Sequence, residues 1–294
     1  MPVGAGNGVT EVVDRLENAG HLDPAVGVVR RILQQALRSQ RGRDLLHGVW
    51  LGHPLHPMLT DVPIGCWTAA AVLDALPGTG HGAGTLIATG CAAYVPTVAA
   101  GWADWSQLHE QQQRVGLVHA AVAGVAFTCY GASLAARARG RSWRGKAWSY
   151  SGLAVIGVAG YLGGHLAYRQ AAGVNHVEAV PHLFPDGWHS LGPIHELPDG
   201  ELCQREVDGV DLLVVRRGQH VDVLADTCSH LAAPLSEGSF AAEQGQGCVV
   251  CPWHGSTFRL ADGAVVHGPA TAPIPRFATR IIDGVLEVSL PDAG

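Results

Sequence analysis

Three stretches of this chain, residues 84–103, 115–136 and 150–168, contain no Asp, Glu, Lys or Arg. Together with a fourth apolar run they define segments at about 57–76, 84–105, 115–136 and 149–170. Each approaches the ~20 residues that an α-helix needs to cross a bilayer. The separators are polar or turn-forming: PGTGHGAG at 77–84, SQLHEQQQR at 106–114 and RARGRSWRGK at 137–146. Trp102, Trp105, Trp143 and Trp148 stand near segment ends, where an aromatic belt belongs. Gly160 and Gly164 give a small-xxx-small spacing that lets helices approach closely. A soluble Ala-rich bundle would not confine its charges to the ends of four runs of similar length. The pattern therefore predicts a four-helix transmembrane domain over 51–172, embedded in a lipid bilayer. The chain as a whole has 15% charged residues, against ~25% in ordinary soluble domains, and this deficit is local to those runs. A net charge of −6 argues against nucleic acid as a partner.

The flanks read differently. Residues 1–50 carry Val12, Val13 and Leu16, then Val28, Val29, Ile32, Leu33 and Leu37, at helical spacing. Arg30, Arg31, Arg38, Arg41 and Arg43 decorate the second run. This is an amphipathic segment that either packs on the protein or lies on the membrane surface. The first twenty residues contain no apolar leader stretch, so no signal peptide is expected there. After a linker at 173–185, strand-like runs begin: 211–216, 220–225, 248–251, 264–267 and 285–290. Asp208-Gly209, Asp262-Gly263 and Asp283-Gly284 punctuate them. Short strands with regular turns predict a small all-β antiparallel domain over 186–290. The fold class is thus a helical membrane bundle followed by a β domain.

Seven cysteines without regular spacing do not make a disulfide framework. Two short motifs stand out among them, Cys228-Ser-His230 and Cys251-Pro-Trp-His254. Two thiols and two imidazoles suit a [2Fe–2S] cluster with Cys on one iron and His on the other. They also suit a Cys2His2 zinc site, although zinc fingers usually pair like with like. Cys248-Val-Val-Cys251 has zinc-knuckle spacing, but no second Cys-x-x-Cys exists, and Cys248 reads as a buried strand residue.

The residues around these motifs, CSHLAAPLSEG and CPWHGSTFRLADGAVVHGPATAPIPRFATRIIDGVLEVSL, resemble the Rieske family over about 186–290. The resemblance implies an antiparallel β fold and a [2Fe–2S] cluster held by Cys228, His230, Cys251 and His254. It also implies that the segment at Gly268-Pro269 covers the cluster. Cytochrome bc-type members carry an extra disulfide between the ligand loops; here those places hold Ala233 and Trp253. The sequence therefore looks like the ferredoxin and oxygenase-component subtype. Ser256 is placed to donate to a cluster sulfur, and Phe258 stands where high-potential members have Tyr. A low-to-intermediate reduction potential is expected.

HPLHPMLTDVPIG, AAGWADW and GYLGGHLAYRQAAGV resemble a four-helix bacterial membrane family, DUF2231, over about 50–172. That resemblance implies architecture and no activity. Four spans would put both chain ends on one side and gather His53, His56, Asp61, Asp104, His119 and His165 towards that face. Intramembrane ionisable groups are costly and are functional candidates. His119 and His165 are candidate ligands of a b-type haem; with His56 and Asp61 they are candidates for a metal or quinone site. The competing expectation is interhelical hydrogen bonding.

Arginines and lysines near the spans divide evenly between the two faces, so the positive-inside rule gives no orientation. The missing disulfide suits a reducing compartment, which favours a multi-pass protein of the bacterial cell membrane with a cytoplasmic β domain. The leading functional expectation is a membrane-anchored one-electron carrier. Its partner would be a reductase, an oxygenase or another membrane electron-transfer protein. The alternatives are a ferredoxin-like component feeding an oxygenase and a redox sensor. No large domain with a 2-His-1-carboxylate iron site follows the last strand, so no substrate hydroxylation by this chain itself is expected.

Overall fold

The computed structural model describes residues 8–243 and 245–291. The extreme start, part of the stretch read as lacking an apolar leader, and the last three residues lie outside these ranges. By internal packing the chain forms two units: residues up to 39 together with 55–172, and residues 40–54 together with 173 onward.

The first unit is helical. Helices α1 (Gly8–Glu17) and α2 (Asp23–Ala36) precede four longer ones: α4 (Leu55–Ala75), α5 (Gly80–Trp105), α6 (Glu110–Ala138) and α7 (Ser142–Gly164). The long helices overlap the four apolar segments, but α7 starts at Ser142 and stops at Gly164, ahead of the expected 149–170 at both ends. Helix α4 packs on α5, α5 on α6, α6 on α7, and α7 returns to α4. Helix α6 begins where Gln112 folds back so that its Oε1 accepts from the His109 N–H at 2.9 Å, satisfying one orphan donor of the first turn. Among the described residues, α5 and α6 are long and apolar enough to cross a membrane. Helix α4 carries Asp61 and Asp74, and α7 opens with Arg144 and Lys146, which dilutes both.

The core of this unit is aromatic. Trp67 stacks on Tyr130 at 4.2 Å between ring centroids, and Tyr94 stacks on Phe127 at 4.8 Å. Small residues make this possible: a Cβ on Gly90 would lie 2.5 Å from Trp67 Nε1. The N-terminal amphipathic segment packs on the protein. Val13 is buried with Val115 and Leu162, while Val12 and Ile32 stay exposed. Arg114 bridges to Asp23 at 2.6 Å, and Arg169 to Asp14 at 3.0 Å.

The second unit is antiparallel β. Its strands are β1 (His189–Pro193), β2 (Leu202–Val207), β3 (Val210–Arg217), β4 (His220–Ala225), β5 (Ser239–Glu243), β6 (Gln246–Val250), β7 (Thr257–Arg259), β8 (Val265–His267), β9 (Ala278–Ile282) and β10 (Val285–Ser289). They form three sheets, ordered β1-β10-β9, β2-β3-β4 and β5-β6-β7-β8. Strand β3 links two cores through the two-residue alternation of a strand. Leu212 and Val214 face Leu191, Phe277, Leu286 and Val288. Leu213 and Val215 face the other way, towards Cys228, Cys251, Val249 and Phe258.

Residues 173–185 fold with this unit. Phe184 is buried and packs on Phe277 at 4.6 Å. Helix α3 (Gln40–His47) and the 3-10 turn Val49–Leu51 also belong to it.

A candidate iron–sulfur site built from two matching loops

Two loops carry the paired Cys and His residues. Loop I, 226–236, leaves β4, and loop II, 251–256, joins β6 to β7. Their motifs differ in length, yet their backbones match. In loop I the Cys228 N–H donates to Ala233 O at 2.8 Å, and Cys228 O accepts from the Ala232 N–H at 2.9 Å. In loop II the Cys251 N–H donates to Ser256 O at 2.8 Å, and Cys251 O accepts from the Gly255 N–H at 3.2 Å. The residue four after each cysteine is left-handed, Ala232 at φ 62° and Gly255 at φ 74°. Each cysteine sulfur accepts from the backbone N–H groups two and three residues on: His230 and Leu231 for Cys228, Trp253 and His254 for Cys251.

Gly255 has open space around a notional Cβ, so its role is conformational. Gly255→Ala is expected to cost about 1 kcal/mol from the left-handed backbone alone, checked by chemical denaturation of the purified protein.

Both thiols are buried, at 1% and 4% exposure, whereas His230 and His254 are half-buried at the surface. The thiols lie within hydrogen-bonding reach of one another. The Cys228 thiol donates to Cys251, which pulls Cys251 below the usual thiol range, and the same bond together with burial pushes Cys228 up. The imidazoles meet edge to face with ring centroids 5.1 Å apart. A single metal ion would need three or more donors converging on one point, and no such group occurs among the described residues. The donors instead pair thiol with thiol and imidazole with imidazole. Two buried thiols beside two surface imidazoles are a donor set that a [2Fe–2S] cluster would accept.

A third loop, 267–274, is tied to both ligand loops. Ser256 Oγ accepts from the Ala270 N–H at 2.9 Å, which leaves its own proton to donate. Ser229 Oγ donates to Ala272 O at 2.6 Å. Loop I is braced below by Asp226, whose carboxylate accepts from the Ser236 N–H at 2.6 Å and from Ser236 Oγ at 2.7 Å. Burial holds the Asp226 carboxyl above the usual carboxylate range despite these bonds. Cys248 lies in β6, fully buried.

The helical candidates do not assemble. His56 and His119 are neighbours, 6.5 Å between ring centroids. Each spends Nδ1 on a backbone carbonyl, His56 on Thr97 O at 2.9 Å and His119 on Ala159 O at 2.8 Å. His165 pairs with Glu17 of α1 at 2.5 Å, within the π-helical turn His165–Arg169 that ends α7. Asp61 is exposed. This arrangement lends no support to a haem at His119 and His165, and it favours the interhelical hydrogen-bonding expectation over a haem, metal or quinone site built from His56, Asp61, His119 and His165. These histidines serve as interhelical hydrogen-bonding groups, and a partner from α1 claims His165.

Two family profiles match the chain: the Rieske [2Fe-2S] domain over residues 187–278 and Predicted membrane protein (DUF2231) over 52–176. The ferredoxin subunit of anthranilate 1,2-dioxygenase from Burkholderia cepacia is 36% identical over 103 residues, which is 35% of this chain and 92% of that protein. A cholesterol 7-desaturase from Drosophila melanogaster is 31% identical over 98 residues, 33% of this chain and 22% of the desaturase, so the chain spans only about a fifth of that relative. Among solved structures, the ferredoxin of carbazole 1,9a-dioxygenase from Nocardioides aromaticivorans IC177 is 26% identical with a TM-score of 0.34, covering 36% of this chain and all of that one.

Proposed function

Because this chain belongs to the Rieske [2Fe–2S] family through its C-terminal unit, we propose that it is a membrane-anchored one-electron carrier whose cluster is held by Cys228, His230, Cys251 and His254. The observation that carries the ligand assignment is the matched pair of loops, which bring two thiols and two imidazoles together as like pairs.

When bound, a cluster of this kind supplies acceptance and release of a single electron. The chain's own residues set the terms. Cys228 and Cys251 keep the anionic sulfur side inside the core, where the N–H groups of His230, Leu231, Trp253 and His254 offset its charge. His230 and His254 place their ring edges at the surface, the shortest route for an electron to a partner. Phe258 is fully buried beside the thiols and offers no hydroxyl, whereas Ser256 offers one. Ser256→Ala is therefore expected to lower the midpoint potential by on the order of 50 mV, the one-electron equivalent of a tenfold change. A potentiometric titration followed by EPR reads this directly.

Electron paramagnetic resonance and an optical spectrum of the purified, reduced protein test the whole reading. The expected result is a signal that appears on reduction, with equal amounts of iron and acid-labile sulfide. Zinc in place of iron would overturn it. The same optical spectrum reads haem independently.

The partner class follows from the ferredoxin likeness: a reductase on the donor side and an oxygenase or another electron-transfer protein on the acceptor side. Reduction by NAD(P)H through a reductase, compared with reduction by quinol, separates a soluble donor from a membrane one. The helical unit acts as the membrane anchor, with all four long helices crossing the bilayer and the cluster-bearing unit facing the cytoplasm. A reporter fused to the C-terminus reads that orientation.

A further inference from the structure

Residues 40–54 come from far upstream of the β strands, yet they pack within the β unit. Their contacts fall on the third loop. Asp44 Oδ1 accepts from the Gly268 N–H at 3.0 Å, and Asp44 Oδ2 is 2.9 Å from His267 Nδ1. The same Oδ1 accepts from Gln40 Nε2 at 2.8 Å, which orients the carboxylate from within α3. The packing is close: a Cβ on Gly268 would lie 3.0 Å from the Val49 side chain and 3.5 Å from that of His47. His47 is itself buried, at 2% exposure. Farther along, Gly52, His53 and Pro54 line a cavity of about 150 Å³ together with Ser229, His230 and residues 269–272.

The third loop touches both ligand loops, through Ala270 to Ser256 and through Ala272 to Ser229. Whatever fixes the third loop therefore fixes the distance between it and the sulfur-bearing side of the site. We infer that residues 40–54 form a fourth wall of the cluster site, and that Asp44 is a positioning residue that holds the third loop against the ligand loops. The inference rests on the cluster reading above and goes beyond it. No ligand role is assigned to Asp44; it acts through a backbone N–H and an imidazole. Both of its oxygens are engaged, so it constrains the loop in two directions at once. A carboxylate acceptor also makes these bonds stronger than neutral ones.

The expected consequence has a definite sign. Reduction adds a negative charge to the site. Freeing the third loop admits water, and removing Asp44 takes away a nearby anion; both favour the more negative, reduced state. In the full-length protein, Asp44→Ala should shift the reduction equilibrium at least threefold towards the reduced form, about 28 mV by the one-electron conversion. It should also change the EPR line shape of the reduced protein. Asp44→Asn keeps an acceptor for Gly268 and a polar partner for His267, and should restore the parental line shape. Should Asp44→Ala not accumulate as folded protein, His267→Phe removes one of the two contacts and takes its place with the same two readouts. The inference is overturned if the loss variant matches the parent in potential and line shape, even with lowered thermal stability, or if Asp44→Asn fails to restore the line shape. A parent protein without any reduced-state signal would instead overturn the cluster reading.

Discussion

Cys251→Ala is expected to abolish the reduced-state EPR signal altogether, and Cys248→Ala to leave it intact. The contrast is large because the two cysteines are three residues apart on one strand and its following loop, and both are buried. Cys251 points its sulfur at Cys228 and at the N–H groups of Trp253 and His254. Cys248 sits in β6, with its thiol 3.7 Å from Gln246 O and its backbone paired between Ala241 and Arg259. On the proposed ligand set, removing Cys251 would take away one of the two thiols that would hold the cluster, and it leaves Cys228 without its thiol partner. Removing Cys248 deletes one small buried sulfur, a cost of about 1–2 kcal/mol of packing with no change in the donor set. Iron and labile-sulfide analysis beside the EPR spectrum checks both variants. Loss of the cluster in Cys248→Ala with a folded β unit would favour the zinc-knuckle pairing of Cys248 with Cys251, and retention of cluster in Cys251→Ala would overturn the ligand role of Cys251 itself.

The second large effect lies in the helical unit. Asp74 of α4 has a fully buried side chain that pairs with Arg137 of α6 at 2.5 Å, while Lys146 Nζ donates to its backbone carbonyl at 2.5 Å. Arg137 also bonds Ser133 Oγ and Gly80 O, each at 3.2 Å, so it ties the starts and ends of three helices together. The second oxygen of Asp74, Oδ1, has no hydrogen-bond partner among the described residues. Arg137→Met would leave the buried carboxylate without its side-chain partner; a fully uncompensated buried charge costs about 3–5 kcal/mol, and the Lys146 ammonium at the Asp74 carbonyl makes that the upper end of the expected loss. Arg137→Met combined with Asp74→Leu should recover most of that loss, because replacing a buried ion pair by apolar residues of similar volume is often neutral. The difference between the single and double variants is the coupling. The thermal midpoint of the helical circular-dichroism signal in detergent reads it.

Much of this architecture was legible in the sequence, for identifiable reasons. The two ligand loops are local: Cys and His fall two or three residues apart, so chain geometry alone brings them together. Strand boundaries followed turn residues such as Asp208 and Asp283, which take positive φ in the structure. The long helices followed the absence of charge. What escaped was non-local. Asp44 and Gly268 are 224 positions apart, and neither has a motif that announces the other. His165 and Glu17 are 148 apart, so a histidine that looked available for a cofactor already had an acidic neighbour from α1. Residues 173–185 looked like a linker because of their prolines, while Val177 and Phe184 supply buried core side chains. The matching backbones of the two loops also escaped, since Ala232 in a left-handed conformation carries no glycine to signal it.

The division of the chain into interleaved pieces has a practical corollary for anyone wishing to detach the electron-carrying head. The polypeptide passes between units three times, after residues 39, 54 and 172. A protease nick at any one of these junctions opens the backbone without releasing a fragment. A recombinant head starting at residue 173 would be freed from the helices, but it would also be born without α3 and without the carboxylate that grips Gly268. The faithful soluble version is a two-piece graft, with residues 40–54 joined through a short designed spacer to residue 173.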